Sequence, residues 1–92
     1  MQDDWFEWDD DKAARNAAKH GIAFEFARAA FDDPNWIDVE DPDPDEERYN
    51  RICMFQGRLI TVTYVERVTR IRITSARVAD KHEQRKYFQG WA

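Results

Sequence analysis

Four arginines fall within eleven residues of the second half of the chain: Arg67, Arg70, Arg72 and Arg77. Guanidinium forks donate paired hydrogen bonds to phosphate oxygens, so such a cluster suits a phosphate-bearing ligand. Glu66 stands directly before them, at the end of a strand-like run, where a side chain leaves the core and is free to accept a proton. The same carboxylate would also serve a surface ion pair with Arg67 or Arg70. Strand alternation places Arg70 and Arg72 on one side, with Ile71, Ile73, Ser75 and Arg77 on the other. Arg67 and Arg72 are therefore the expected phosphate ligands and Arg77 a supporting group. The competing view of Arg70 and Arg72 is a solvated sheet face.

Other residues extend this chemistry. His20 titrates near neutrality and is a general acid or base in reserve, although a histidine at a helix C-terminus is also held there by the last carbonyls and the dipole. Lys12 and Lys19 lie two helical turns apart on one face, as a phosphate track or as solvated groups. Near the end, Arg85 and Lys86 are placed to touch a nucleic acid. Tyr87 is placed to stack on a base, although packing on the sheet suits it better.

The net charge of −5 argues against a polyanion partner, but the average hides an asymmetry. Residues 1–46 hold 15 acidic and 4 basic side chains, whereas residues 47–92 hold 4 acidic and 10 basic. One half can meet a polyanion while the other repels it or meets a basic partner; simple solvation of the two ends is the alternative. No metal and no other cofactor is expected. The carboxylates of Asp9-Asp10-Asp11 and of the Asp41 to Glu47 loop lack an Asp-x-Asp-x-Asp-Gly frame, the two histidines are far apart, and one cysteine cannot make a zinc cluster. Glycines 21, 57 and 90 form no phosphate-binding loop.

These side chains need a scaffold. Hydrophobic residues at 42% and aromatics at 14% support one core, so residues 1–92 are expected to form one domain. The lone Cys53 and the absence of a charged-then-apolar leader point to a reducing cytoplasm. The apolar run Leu59 to Val65 is far shorter than the roughly 20 residues of a membrane span.

Trp5 to Trp8 reads as a short opening strand, and Asp9 caps a helix from Asp10 to His20 that Gly21 stops. A second helix follows from Phe24 to Phe31, with Phe24, Ala27 and Phe31 on its core face. Asp32-Asp33-Pro34-Asn35 breaks it, Trp36 to Val39 is a possible short strand, and Asp41 to Asp45 is an acidic, mobile loop. A meander of Arg48 to Phe55, Arg58 to Glu66 and Arg70 to Ala76 comes next, turning at Gln56-Gly57 and at Arg67-Val68-Thr69. The middle strand is apolar on both sides and so central. Asp80 and Glu83 open a last helix, Lys81 to Phe88, that Gly90 ends. The fold class is α+β: a small antiparallel sheet, made of the meander and the opening strand, packed with two N-terminal helices and one C-terminal helix.

In this order of elements the motifs form a recognisable set. They are Phe6-Glu7-Trp8-Asp9 with Lys12-Ala13, Lys19-His20-Gly21-Ile22 before Phe24-Glu25, Phe31-Asp32-Asp33-Pro34, and Glu47-Arg48. Tyr64-Val65-Glu66-Arg67, Arg70-Ile71-Arg72-Ile73, Ser75-Ala76-Arg77, and Glu83 with Tyr87 complete it. With this set the chain resembles the BrnT family of toxins over nearly its whole length. Departures are the negative net charge, the Asp9-Asp10-Asp11 run, Val68-Thr69 where glycines are usual, and Ala23 where Ser or Thr would cap a helix.

The resemblance implies a type II toxin with a RelE-like fold: a ribonuclease that halts translation and is neutralised by a BrnA-type antitoxin, a heterotetramer of the two being one allowed assembly. RNA cleavage without a metal needs a base for the 2′-hydroxyl, cations for the phosphorane and an acid for the leaving oxygen. Glu66, Arg67 and Arg72 are the first choices, with His20 in reserve. Lys12, Lys19, Arg70, Arg77, Arg85, Lys86 and Tyr87 are the expected RNA contacts. A rival function is a binding module without catalysis, meeting RNA through the basic half or a basic regulator through the acidic half. A nucleic-acid mimic fits less well, because the N-terminal helices look like core.

Overall fold

The computed structural model describes residues 1–41 and 47–90; the expected mobile loop falls largely at 42–46, outside the described residues. Local signals start and stop the elements. β1 is Phe6–Glu7, and α1 is Asp10–His20. The Asp9 carboxylate accepts from the backbone N–H groups of Asp11 and Lys12, and Gly21 ends the helix at φ +71°. That left-handed conformation suits glycine. α2, Phe24–Ala30, starts at Ala23 without a side-chain cap.

β2 (Ile37–Asp41), β3 (Arg48–Phe55), β4 (Arg58–Glu66) and β5 (Ile71–Val78) follow, then α3 (Lys81–Gln89). Gln56 and Gly57 both take positive φ, as a two-residue hairpin turn requires. Asp80 and Glu83 form a full capping box at the start of α3.

The α+β class is as expected. The sheet order is β1-β5-β4-β3-β2, and it is mixed: β2 to β5 form an antiparallel meander, while β1 joins β5 in parallel. The possible strand at Trp36 to Val39 is thus a full member of the sheet, shifted to Ile37–Asp41.

The two faces differ. On one, Cys53, Ile60, Val62, Ile73 and Ala76 are buried under Ile22, Phe24, Ala27 and Ala30 of the α1–α2 segment, with Trp8 beside them. On the other, α3 packs against β3, burying Ile52, Leu59, Ala79 and Tyr87 near the β3–β4 turn. Among the described residues no helix lies over the opposite end of that face.

Two irregularities of β5 decide what this end displays. Thr63 pairs with Ser75 while Tyr64 pairs with Ile73, so Thr74 has no partner residue and forms a bulge. The outer edge of β5 is met by β1 only at Ile71 and Arg72. Farther along, the buried Asn16 of α1 takes the place of a strand: its amide donates to the Ala76 carbonyl at 2.9 Å and accepts from the Ala76 N–H at 3.1 Å. It also donates to the Ile22 carbonyl, tying the α1–α2 turn to the sheet edge.

Candidate functional site

The register aligns one row of side chains across all five strands: Glu7, Arg72, Val65, Arg48 and Asp41. Directly opposed residues share a face, so this row lies on the α3 side of the sheet, at the end that α3 leaves uncovered. The outer carboxylates hold the inner arginines, with Glu7–Arg72 at 2.7 Å and Asp41–Arg48 at 2.9 Å. Val65 is buried between the two arginines, whose backbones stand two strands apart, about 10 Å.

Arg77 joins this face. Strict alternation sends it to the Ile71–Ile73 side, and that expectation is corrected by the bulge at Thr74, which adds a residue and inverts the pattern beyond it. Arg77 therefore stands opposite Thr61, and its guanidinium grips Glu83 with two hydrogen bonds of 2.7 and 3.0 Å. Burial alone would raise the Glu83 carboxyl, but Arg77 and the Asp80 N–H outweigh it and hold the group below its ordinary value. The hydrogen bond to Glu83 raises Arg77, with the charges of Glu83, Asp80 and Asp41 adding to it. Asp41 thus links Arg77 electrostatically to the Arg48 row.

Arg72, Arg48 and Arg77 keep 32%, 33% and 35% of their side-chain surface exposed. Arg51 on the other face keeps 13%. Its guanidinium binds both Asp38 oxygens and lies 3.8 Å over the Trp36 ring and 4.6 Å over Phe31. The first three can be reached by a ligand; the fourth is enclosed.

The other expected site residues scatter. Glu66 is exposed at the end of β4, but its register partner is Ile71, which puts it on the face opposite Arg72. Arg67 donates its backbone N–H to the Arg70 carbonyl and so closes the β4–β5 turn. Arg70 precedes β5, and its Nε donates to the Asp3 carbonyl at 2.6 Å.

His20 is not brought to the site either. It ends α1, and Gly21 and Ile22 after it line a cleft with Phe55, Gln56 and Arg58, the last of which is at the other end of β4 from Glu66, about 26 Å along the strand. Lys12 and Lys19 are exposed on the outer side of α1, and Arg85 is exposed on α3 with Lys86 partly covered beside it. Tyr87 is not a stacking residue. It is 1% exposed, and its hydroxyl donates to Asp33, so burial and that bond push it up to about 12.

Sequence reasoning passed over Glu7, Arg48 and Asp41 as site residues. Glu7 and Arg48 do stand inside the motifs Phe6-Glu7-Trp8-Asp9 and Glu47-Arg48. It also missed the roles of Asn16 and Asp33. Asp33 accepts from the backbone N–H groups of Met54 and Asn35 as well as from Tyr87, fastening the α2–β2 loop to β3 and α3. Among the described residues no three or more His, Cys, Asp or Glu side chains gather as a metal site. Cys53 is buried, and burial with the nearby Asp33 charge pushes its thiol up to about 12, which removes it as a nucleophile.

This face carries three partly exposed guanidinium groups, Arg72 and Arg48 in one row and Arg77 in a second row beside α3, each in contact with a carboxylate. No curated protein matches the chain. The family described as the ribonuclease toxin BrnT, of type II toxin–antitoxin systems, matches residues 8–83. That match spans β2 to β5 and reaches Glu83 at the start of α3, and by it the chain belongs to the BrnT family of ribonuclease toxins.

Proposed function

We propose that residues 1–92 act as one domain that cleaves single-stranded RNA on this face without a metal, and in doing so inhibits translation in the cytoplasm. The observation that carries it is the presence of Arg72, Arg77 and Arg48 on one face of the sheet. Phosphate oxygens engage Arg72 and Arg77, which neutralise the phosphorane as its charge develops. A phosphate at Arg72 displaces the Glu7 carboxylate, now 2.7 Å from it, and leaves that carboxylate beside the attacking 2′-hydroxyl as general base. The leaving 5′-oxygen faces solvent and takes its proton from water. Glu66, the first choice from sequence, is kept as the rival base, since it is exposed at the end of the same strand as Val65. A BrnA-type antitoxin, in a heterotetramer with the toxin, neutralises it by denying RNA this surface.

The test is cleavage of a labelled single-stranded RNA by the purified protein, with and without EDTA, beside growth after induction in a bacterium. Arg72→Ala and Arg77→Ala are expected to lose about 100-fold or more in cleavage rate, the scale of removing a group that stabilises developing charge. Glu7→Gln should lose more activity than Glu66→Ala; the reverse ranking returns the base to Glu66. RNA bound but uncut by the native protein would mean a binding module and end the enzyme reading.

A further inference from the structure

Trp5 is the most exposed aromatic side chain among the described residues, at 69%. Its backbone, in contrast, is pinned. The Trp5 carbonyl accepts from the Ile71 N–H at 2.9 Å, and the Asp3 carboxylate accepts from the Trp5 and Phe6 N–H groups at 2.9 and 2.8 Å. Asp3 is held in turn by an ion pair with Arg28, and its carbonyl by Arg70. A large ring left in water on a braced backbone is prepared to stack, because little further ordering accompanies contact.

Two clefts flank this ring, and their charges differ. One, of about 370 Å³, is formed by Trp5 and Phe6 with the turn residues 67–71; among the described residues that line it are Arg67 and Arg70 and no carboxylate. The other is formed by Trp5 and Phe6 with Glu25, Arg28, Ala29 and Asp32, so its single arginine, already paired with Asp3, faces two carboxylates. A polyanion is accepted by the first cleft and repelled by the second. Val68, fully exposed, adds apolar surface at the tip of the same turn. Trp5 precedes Glu7 by two residues, at most about 7 Å of chain, and its carbonyl is bonded to Ile71, the neighbour of Arg72, which sets it near the nucleotide adjoining a phosphate on Arg72.

We propose that Trp5 and the β4–β5 turn form a stacking subsite for the nucleobase next to the scissile phosphate, with Arg67 meeting the RNA backbone. This rests on the RNA-cleaving function proposed above. Every base has a π-face, so the subsite strengthens binding with little base preference. It acts on KM and leaves kcat in place, since the stack is the same in ground and transition states.

The experiment measures anisotropy of a fluorescent, uncleavable 2′-O-methyl oligonucleotide, together with KM and kcat on cleavable RNA. Trp5→Ala is expected to weaken binding and raise KM about tenfold with kcat unchanged, while Trp5→Phe stays within about threefold of the native protein. An unchanged unfolding midpoint verifies that both variants fold. Native-like RNA binding by Trp5→Ala overturns the subsite, as does a Trp5→Ala loss confined to antitoxin binding, which would make the ring a protein contact. A Trp5→Phe variant as weak as Trp5→Ala overturns stacking. A native protein that binds the oligonucleotide through Trp5 but cuts no RNA upholds the subsite and refutes the enzyme; one that binds no RNA overturns both.

Discussion

Arg51 and Arg72 occupy the same sheet and each has a carboxylate partner, yet they belong to different regions of the molecule. Arg51 is on the face closed by α1 and α2, with its guanidinium held by Asp38 and enclosed by Trp36, Phe31 and Tyr64. Arg72 is on the face that α3 covers only in part, and one carboxylate, Glu7, holds it from the side. A charge enclosed by rings and a bidentate partner is structural, because removing it strands the partner. A charge with a third of its surface in water can exchange its partner for a ligand. The number of sides from which an arginine is held, rather than pairing itself, separates the scaffold from the site.

Exchanging the two arginines for alanine tests this most strongly. Arg51→Ala is expected to lower stability by about 3 kcal/mol in denaturant unfolding and leave cleavage per folded molecule unchanged. Arg72→Ala should cost less than about 1 kcal/mol, since its pair is partly exposed, while cleavage falls about 100-fold. If both variants lose only stability, the two faces do not divide the work.

A smaller effect concerns the edge of the closed face. Asn16→Leu removes both side-chain bonds to Ala76 and leaves a buried N–H and C=O without partners, which should reduce stability by about 2 kcal/mol. Slackening of that edge also frees the bulge, so RNA affinity should fall along with the unfolding midpoint. An affinity unchanged in the folded variant would detach the clamp from the arginine face.

The smallest effect is on pH dependence. Burial opposes ionisation of Asp33, but the Asn35 and Met54 N–H groups and the Tyr87 hydroxyl outweigh it, so its folded-state value lies below the ordinary one. Such a group contributes stability that is fully present above the unfolded value of about 4 and is lost as pH falls through the lower folded one. Asp33→Asn should therefore lower stability at neutral pH and flatten the acid limb of a stability–pH profile, with activity intact. An acid limb as steep as the native one would place the responsible carboxylate elsewhere.

Much of the fold was legible because its signals are local. Asp9, Gly21 and the Asp80–Glu83 pair mark helix ends by their own chemistry, and the limits of β3 and β4 coincide with their apolar alternation. The arrangement of the site was not legible, for a physical reason. Alternation in one strand says nothing of the residue left unpaired by its neighbour, so Thr74 and the side taken by Arg77 depend on register with β4. Likewise Asn16 meets Ala76 across 60 positions, and Glu7 meets Arg72 across 65. A basic segment was visible from composition; which of its members share a face was a property of pairing.

The carboxylate beside each arginine of the open face carries one more consequence. Taking up a polyanion here is an exchange of anions rather than a capture, because Glu7, Asp41 and Glu83 must yield to the phosphates. Fewer counterions are released than three bare arginines would release, so affinity should fall with salt less steeply than about 0.7 logarithmic units per arginine. An unloaded face whose three arginines are already paired also adsorbs little bulk nucleic acid, leaving the protein free until a strand fits well enough to replace the three carboxylates together.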